Sequence, residues 1–173
     1  MIFAASKINR ALSWGARFFF FFSLMFLVAC VSSPFSSEGV SLDQSPLHAS
    51  QGKVSLGERV IWGGVVIAST NTASGSEIQL LSYPLDYLQR PDQGYNSAGP
   101  VLVKTAEYLE TTDFTPGRRI TVSGQYDGMA STQIGESTRQ SPVLEAQSGG
   151  IYLWTASEYF NSTAVNVGIS FSL

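Results

Sequence analysis

Cysteine and histidine are nearly absent from this chain of 173 residues, which contains one of each, Cys30 and His48. A single cysteine excludes an intrachain disulfide and a cluster of thiolate metal ligands. A single histidine, placed before the predicted strands, excludes a Ser-His-Asp triad and a zinc site built from several imidazoles. A phosphate-binding motif is also missing, because Gly63-Gly64 lies inside a predicted strand rather than before a helix. We therefore expect no catalytic residues, no cofactor and no metal, and a protein that is not an enzyme.

Acidic residues are missing from the start of the chain. No Asp or Glu precedes Glu38, whereas Lys7, Arg10 and Arg17 lie in the first 17 residues. The remainder has seven cations against 13 acids, a formal charge of about −6. Such an acidic part has no electrostatic footprint for nucleic acid, so we expect no nucleic-acid partner.

An apolar run follows the basic residues and ends at the cysteine. Residues 18–29 are almost all apolar, and this length suits a signal peptide but is shorter than the roughly 20 residues that span a bilayer. The last residues of this run and the cysteine, Leu27-Val28-Ala29-Cys30, resemble the bacterial lipobox, in which the cysteine is lipidated and the chain is cleaved before it. We predict cleavage between Ala29 and Cys30 and lipidation of Cys30. The alternative is an ordinary secretory signal with a chance cysteine, or a short membrane anchor.

The predicted lipid determines where the protein is held. A single acyl chain binds a membrane only marginally, whereas two or three chains on Cys30 make attachment effectively permanent. By the sorting rule of enteric-type bacteria, an Asp after the cysteine favours the inner membrane. Here that residue is Val31, which favours the outer membrane of a Gram-negative bacterium. We expect the outer membrane to be the partner of the anchor, with further envelope proteins as possible partners.

Composition divides the chain into four parts. Residues 1–29 are the signal peptide, and residues 30–52 are rich in Ser and poor in large apolar side chains, which predicts a flexible tether. His48 lies in this tether and is expected to be solvated. Residues 53–155 form one β-rich domain, and residues 156–173 form a C-terminal tail.

The domain has short β-branched and aromatic runs separated by turns rich in Gly and Pro. A Gly63-Gly64 pair within the first run predicts a bulge or a sharp bend. Residues 84–90 are predicted to form a helical turn before Pro91. Without a long helical period, these features indicate a small all-β barrel of five to six strands, similar to an OB fold. The predicted strands are residues 59–68, 77–83, 101–109 and 120–126, with one or two more in 142–146 and 151–154.

Several short motifs follow one another along the domain in a definite order and spacing. They are Trp62-Gly63-Gly64-Val65-Val66-Ile67, Glu77-Ile78, Tyr83-Pro84-Leu85-Asp86, Arg90-Pro91, Gly117-Arg118, Thr121-Val122-Ser123-Gly124, Ile134-Gly135-Glu136 and Ile151-Tyr152-Leu153-Trp154. Together with the lipobox they extend from Cys30 to about Trp154, and they resemble the Slp family of outer-membrane lipoproteins, the starvation-inducible lipoproteins of gamma-proteobacteria. The resemblance implies an envelope lipoprotein with a role linked to starvation or stress and no established catalytic chemistry.

Two sets of side chains are candidates for chemistry or binding. Asp86 and Asp92 flank a loop with Arg90 and are candidates for an acid–base pair; solvated loop charges are the favoured interpretation. Five aromatic residues are candidates for a ligand face, although packing in the core or at a barrel end is favoured. They are Trp62, Tyr83, Tyr126, Tyr152 and Trp154.

The tail alternates strictly between apolar and polar residues from Val165 to Leu173. This pattern predicts an edge strand or a strand that pairs with a partner; the last strand of a transmembrane barrel is the less favoured alternative. Two function classes remain. The favoured one is a non-enzymatic envelope lipoprotein, and the alternative is a periplasm-facing module that binds a small ligand or a carbohydrate.

Overall fold

The computed structural model describes residues 32–40 and 44–160. The signal peptide, Cys30 and the alternating segment 165–173 lie outside these residues, so the predictions for them stay predictions. None of the helices in the described residues is long and apolar enough to cross a bilayer. The elements are helix α1 (Pro46–Ser50), strands β1 (Arg59–Thr72), β2 (Gly75–Tyr83), β3 (Gly99–Thr105), β4 (Arg119–Ile134) and β5 (Ser137–Leu153), and helix α2 (Ala156–Phe160).

The five strands close into one barrel in the order β1-β2-β3-β5-β4, with β4 returning to β1. All neighbours are antiparallel except β3 and β5, which run parallel from Leu102↔Val143 to Thr105↔Ala146. A parallel pair needs a crossover connection, and here the long β4 strand supplies it. The prediction of an all-β, OB-like barrel is confirmed.

Strand β1 closes the barrel, because it pairs with β2 along one edge and with β4 along the other. Gly63 pairs with Tyr83 of β2 and with Thr121 of β4. A Cβ at Gly64 would lie 2.3 Å from the carbonyl oxygen of Leu81, so only glycine allows this approach of the two backbones. The pairing of β1 with β2 is irregular between Val66 and Ala68. The predicted bulge therefore lies at Ile67 and not at the glycine pair.

The interior of the barrel is filled by side chains that point inward from every strand. Val60, Ile78, Val103, Ile120 and Leu144 are each 0% exposed. At about 25 cal/mol per Å² of buried apolar surface, such β-branched and leucine side chains contribute about 1.5–3 kcal/mol each. Burial of this kind stabilises the domain without a disulfide.

One end of the barrel is covered by the residues that precede β1. Helix α1 is capped by Ser45, whose hydroxyl accepts a hydrogen bond from the His48 N–H at 3.3 Å, and Pro46 occupies the first turn. Ala49 is 2% exposed and belongs to the core. The expectation of a flexible tether is wrong for residues 44–52, because a capped helix in this segment is anchored by a buried side chain. His48 lies on this helix and is half-buried rather than fully solvated.

Three further predictions differ from the structure. Strand β3 ends at Thr105 instead of residue 109, because the chain bends at Ala106 and Glu107, where the Thr105 hydroxyl accepts the Glu107 N–H at 3.2 Å. Strands β4 and β5 are much longer than predicted and continue as a hairpin beyond the start of β1. Residues 84–90 form a hydrogen-bonded loop without a helix, closed by a bridge between Leu85 and Pro91. In this loop the Asp86 side chain, rather than a helical carbonyl, accepts the backbone N–H groups of Leu88 and Arg90.

Candidate functional site

The loop of residues 84–91 lies against the outside of β1 and is held by an ion pair. Asp86 Oδ2 accepts hydrogen bonds from Arg90 Nε at 2.7 Å and lies 2.6 Å from Arg90 Nη2. Asp86 Oδ1 accepts the backbone N–H groups of Leu88 and Arg90, each at 2.9 Å. Both carboxylate oxygens are engaged, and the Arg90 side chain is only 8% exposed. The interpretation of Asp86 and Arg90 as solvated loop charges is therefore wrong.

Asp92 does not join this ion pair. Its Oδ1 accepts the N–H of Gly94 at 2.8 Å, which is a local turn contact. Its backbone N–H donates to the carbonyl of Pro84 at 2.8 Å. Asp86 and Asp92 thus have separate structural partners and do not form a carboxylate pair.

Gln89 connects the same loop to the segment that follows Cys30. Its Oε1 accepts the Phe35 N–H at 3.1 Å, and its Nε2 donates to the Phe35 carbonyl at 2.9 Å and to the Ser37 hydroxyl at 3.2 Å. The side chain amide thus pairs with Phe35 as a neighbouring strand would. We call this set of contacts the Gln89 clamp. The sequence indicated no role for Gln89.

The backbone at Gln89 is held in an unusual conformation. Its φ is +65°, a left-handed value that residues other than glycine rarely adopt. The Thr121 hydroxyl donates to the Gln89 carbonyl at 2.6 Å, and the Trp154 indole donates to that hydroxyl at 2.9 Å. A strained residue persists only where its surroundings hold it, and here those surroundings aim the amide at Phe35.

A cleft of about 430 Å³ lies beside the clamp. Its lining is largely apolar and includes Pro46, Ile61, Trp62, Tyr83, Tyr87 and Gln89. Tyr87, at the tip of the loop, is 84% exposed. Gln44 also lines the cleft, and its Oε1 is buried with no hydrogen-bond partner among the described residues. The cleft therefore combines a largely apolar lining with a residue, Gln44, whose side-chain oxygen has no partner among the described residues.

The five aromatic residues do not form one face. Trp62 and Tyr126 belong to the core, with ring centroids 6.1 Å apart and planes at 58°. The Trp62 indole donates to the Gln44 carbonyl at 2.5 Å, so it holds the residue that precedes the Ser45 cap of helix α1. Trp154 packs edge-on against Tyr152 at 4.7 Å. Core and end packing is thus confirmed for Trp62, Tyr126 and Trp154, while Tyr83 remains half-buried at the cleft.

Helix α2 is joined to this region through Glu158. Thr155 and Glu158 form a capping box: the Thr155 N–H donates to Glu158 Oε2 at 2.9 Å, and the Glu158 N–H donates to Thr155 Oγ1 at 3.3 Å. Hydrogen bonds from Thr155, and then from Tyr152, lower the pKa of Glu158. The same contact raises the pKa of Tyr152, because its hydroxyl donates to Glu158. Arg90 Nη1 donates to the Glu158 carbonyl at 3.3 Å, which ties the loop to this helix.

Within residues 32–40 and 44–160, no three of the His, Cys, Asp and Glu side chains are grouped in a way that could hold a metal ion. Ala29 and Cys30 are not among these residues. The candidate site consists of the Gln89 clamp, the loop with the Asp86–Arg90 ion pair, and the cleft beside them.

Comparison with known proteins identifies the family. The model of the outer membrane lipoprotein Slp family matches residues 27–169, most of the chain. The chain belongs to the Slp family. Among its relatives is the uncharacterized lipoprotein YeaY of Escherichia coli K12, which is 29% identical over 127 residues. That alignment covers 72% of this chain and 65% of YeaY, so this Slp-family chain spans just under two thirds of the relative.

Proposed function

We propose that this Slp-family lipoprotein is anchored through lipid on Cys30 in the outer membrane and acts there by contact, without catalysis, under starvation or other stress. The family supports an outer-membrane lipoprotein. The lipobox-like Leu27-Val28-Ala29-Cys30 supports the site of attachment. The role in stress rests on the resemblance of the chain to starvation-inducible members.

One observation supports a role without turnover. Among the described residues, Asp86 is the carboxylate that lines the cleft, and four donor groups already bind its two oxygens. A general base needs a free oxygen within hydrogen-bond reach of the substrate. An ion-paired carboxylate with a structural role is therefore a better description of Asp86 than a catalytic base.

The anchor is tested by metabolic labelling with a palmitate analogue. We expect the label on the wild-type chain and none on Cys30→Ala, whereas Ser33→Ala is the matched control that should keep it. Label that persists on Cys30→Ala would contradict lipidation at this residue.

Action by contact is tested in a deletion strain. A folded form that is exported without lipid should fail to replace the anchored protein, because a contact partner at the membrane is no longer within reach. As a control, the anchored protein with Asp92→Ala should restore the wild-type phenotype of the deletion strain fully. Full rescue by the unanchored form, lost again on Asp86→Asn, would favour a diffusible enzyme instead.

A second candidate function is binding of a carbohydrate or another small ligand in the cleft. The observation that favours it is a cleft lined by Tyr83, Tyr87 and Gln44, whose Oε1 has no hydrogen-bond partner among the described residues, since sugar rings offer both an apolar face and hydroxyl donors. Trp62 and Trp154 are the only tryptophans after Cys30. In a Trp154→Phe chain, Trp62 fluorescence therefore reports on the cleft. A titration with soluble muropeptides should change this emission, and Tyr83→Ala should remove the change; a flat response would argue against these ligands.

A further inference from the structure

The Gln89 clamp limits how far the barrel can lie from the lipid. Cys30 and Phe35 are five residues apart, and five extended residues span at most about 18 Å. If the clamp opens, the next hydrogen bond to the barrel shorter than 3.5 Å among the described residues before β1 is that of Gln44 with Trp62, because the Arg59 hydrogen bond to Glu38 is 3.5 Å long. Gln44 is 14 residues from Cys30, and that length allows about 50 Å. The clamp thus shortens the reach by more than half.

The loop that supplies the clamp also presents an aromatic side chain. Tyr87 lies two positions before Gln89 and is 84% exposed. The loop beneath it is fixed by the Leu85–Pro91 bridge and by the Asp86–Arg90 ion pair. Tyrosine has an apolar ring and a polar hydroxyl, which suits the boundary between headgroups and acyl chains.

Charge at the loop tip is compatible with a lipid surface. Asp86 is the acid nearest Tyr87 in the loop, and Arg90 compensates it at 2.6 Å. An uncompensated carboxylate at this position would be repelled by anionic headgroups. The ion pair removes that repulsion.

We propose that the Gln89 clamp holds the barrel directly on the lipid surface that carries Cys30, with Tyr87 and the mouth of the cleft against the headgroups. This inference rests on the lipidation of Cys30 in the proposed function. It adds the surface that meets the membrane and the residue that keeps it there. Gln89 is a positioning residue that acts through Phe35.

Tyr108 provides an internal reference for the test. It is 67% exposed, and its hydroxyl donates to the Ala73 carbonyl, beside the turn between β1 and β2. Tyr87 follows the other end of β2, and the nine residues of that strand span about 27 Å. The two tyrosines thus lie at opposite ends of β2, and only Tyr87 is expected to meet lipid.

The experiment uses the mature lipidated protein in vesicles of phosphatidylethanolamine and phosphatidylglycerol. The lipid occupies the Cys30 sulfur, so Tyr87→Cys or Tyr108→Cys introduces the one free thiol, which is labelled with the fluorophore NBD. We expect blue-shifted emission at position 87 and quenching by headgroup spin-labelled lipid, and neither effect at position 108. Gln89→Gly keeps the left-handed backbone but removes the amide, and should reduce quenching at position 87 to the level at position 108.

Two further variants control the fold and the surface. Gln89→Asn tolerates the same φ with a side chain too short to reach Phe35, and should behave as Gln89→Gly does. Gln93→Ala removes an exposed amide that binds Arg119 and should change nothing. Equal quenching at positions 87 and 108 in protein that floats with the vesicles would overturn this inference alone. Protein that does not float with vesicles would overturn the lipid anchor and this inference together.

Discussion

Arg90 and Asp86 are bound to each other at the base of the loop that carries Gln89. Arg90 Nε and Nη2 lie 2.7 Å and 2.6 Å from the same carboxylate oxygen, Oδ2. The side chains are 8% and 22% exposed, so the pair is largely shielded from water. Removing one partner of such a pair leaves a buried charge without compensation, which costs more than the intact pair contributes. The loop geometry and the Gln89 clamp therefore depend on both residues.

Asp86→Ala is expected to lower the free energy of unfolding by about 3 kcal/mol, because it removes the ion pair of the buried Arg90 side chain and leaves two backbone N–H groups without their acceptor. Asp86→Asn keeps an oxygen for those N–H groups and should cost less. Urea unfolding of the mature chain with Cys30→Ser measures both. Asp92→Ala loses one turn contact and serves as the control, at about 1 kcal/mol or less. Equal losses for Asp86→Ala and Asp92→Ala would contradict the structural role of the pair.

Gly64→Ala is expected to destabilise the barrel by about 3 kcal/mol or prevent folding, because overpacking forces backbone shifts. The added Cβ would meet the Leu81 carbonyl oxygen at 2.3 Å, and backbone on β2 cannot move without breaking its pairing. Gly94→Ala is the control, since the nearest atom is the mobile end of the Asp92 side chain at 3.0 Å. Thermal unfolding by circular dichroism compares the two. A Gly64→Ala protein as stable as the control would show that the strands separate easily.

The sequence predicts the barrel better than it predicts the site. Runs of β-branched residues and the turns between them are local signals, and they are sufficient for β1, β2 and the start of β4. The ends of β3 and β5 depend on pairings between distant residues, such as Leu102 with Val143, and no local pattern reveals them. The role of Gln89 is likewise absent from any local pattern, because its partner Phe35 lies 54 positions earlier.

The segment of residues 44–52, predicted to be a flexible tether, shows a different limit of prediction from composition. Its Ser-rich composition is typical of a flexible linker, but composition averages over local signals. Ser45 followed by Pro46 is the start of a helix, an N-cap and a proline in the first turn, and this signal was present in the sequence. What the sequence did not contain is the reason for the helix to stay docked, namely the burial of Ala49 at the end of the barrel.

Shortening the chain from its N-terminus separates these contributions. A chain that begins at Gln44 keeps helix α1 and the Trp62 hydrogen bond, whereas one that begins at Lys53 loses both and exposes the core around Ala49. We expect the shorter chain to be less stable by about 3 kcal/mol, from one lost indole hydrogen bond and lost apolar burial. A chain that begins at Ser33 adds the Gln89 clamp and is the reference. Urea unfolding with equal midpoints for starts at Gln44 and Lys53 would refute a stabilising role for this segment.

The capping box of Thr155 and Glu158 should make stability depend on pH. Hydrogen bonds that lower the pKa of Glu158 below its ordinary value of 4.5 favour the folded state only while the carboxylate is ionised. The contribution is therefore complete above 4.5 and is lost as the pH falls through the folded pKa. Because Glu158 is exposed, solvent screening keeps the effect small.

Glu158→Gln should consequently lower the melting temperature at about pH 7 and make little difference once the pH is low enough to protonate the wild-type carboxyl, below its lowered pKa. Differential scanning calorimetry of both chains across this range provides the measurement. Thr155→Ala removes the largest source of the pKa shift of Glu158. In that background, the difference in melting temperature between chains with Glu and with Gln at position 158 should therefore lose most of its pH dependence. A difference between wild type and Glu158→Gln that stays constant across the range would show that the carboxylate charge plays no part in capping helix α2.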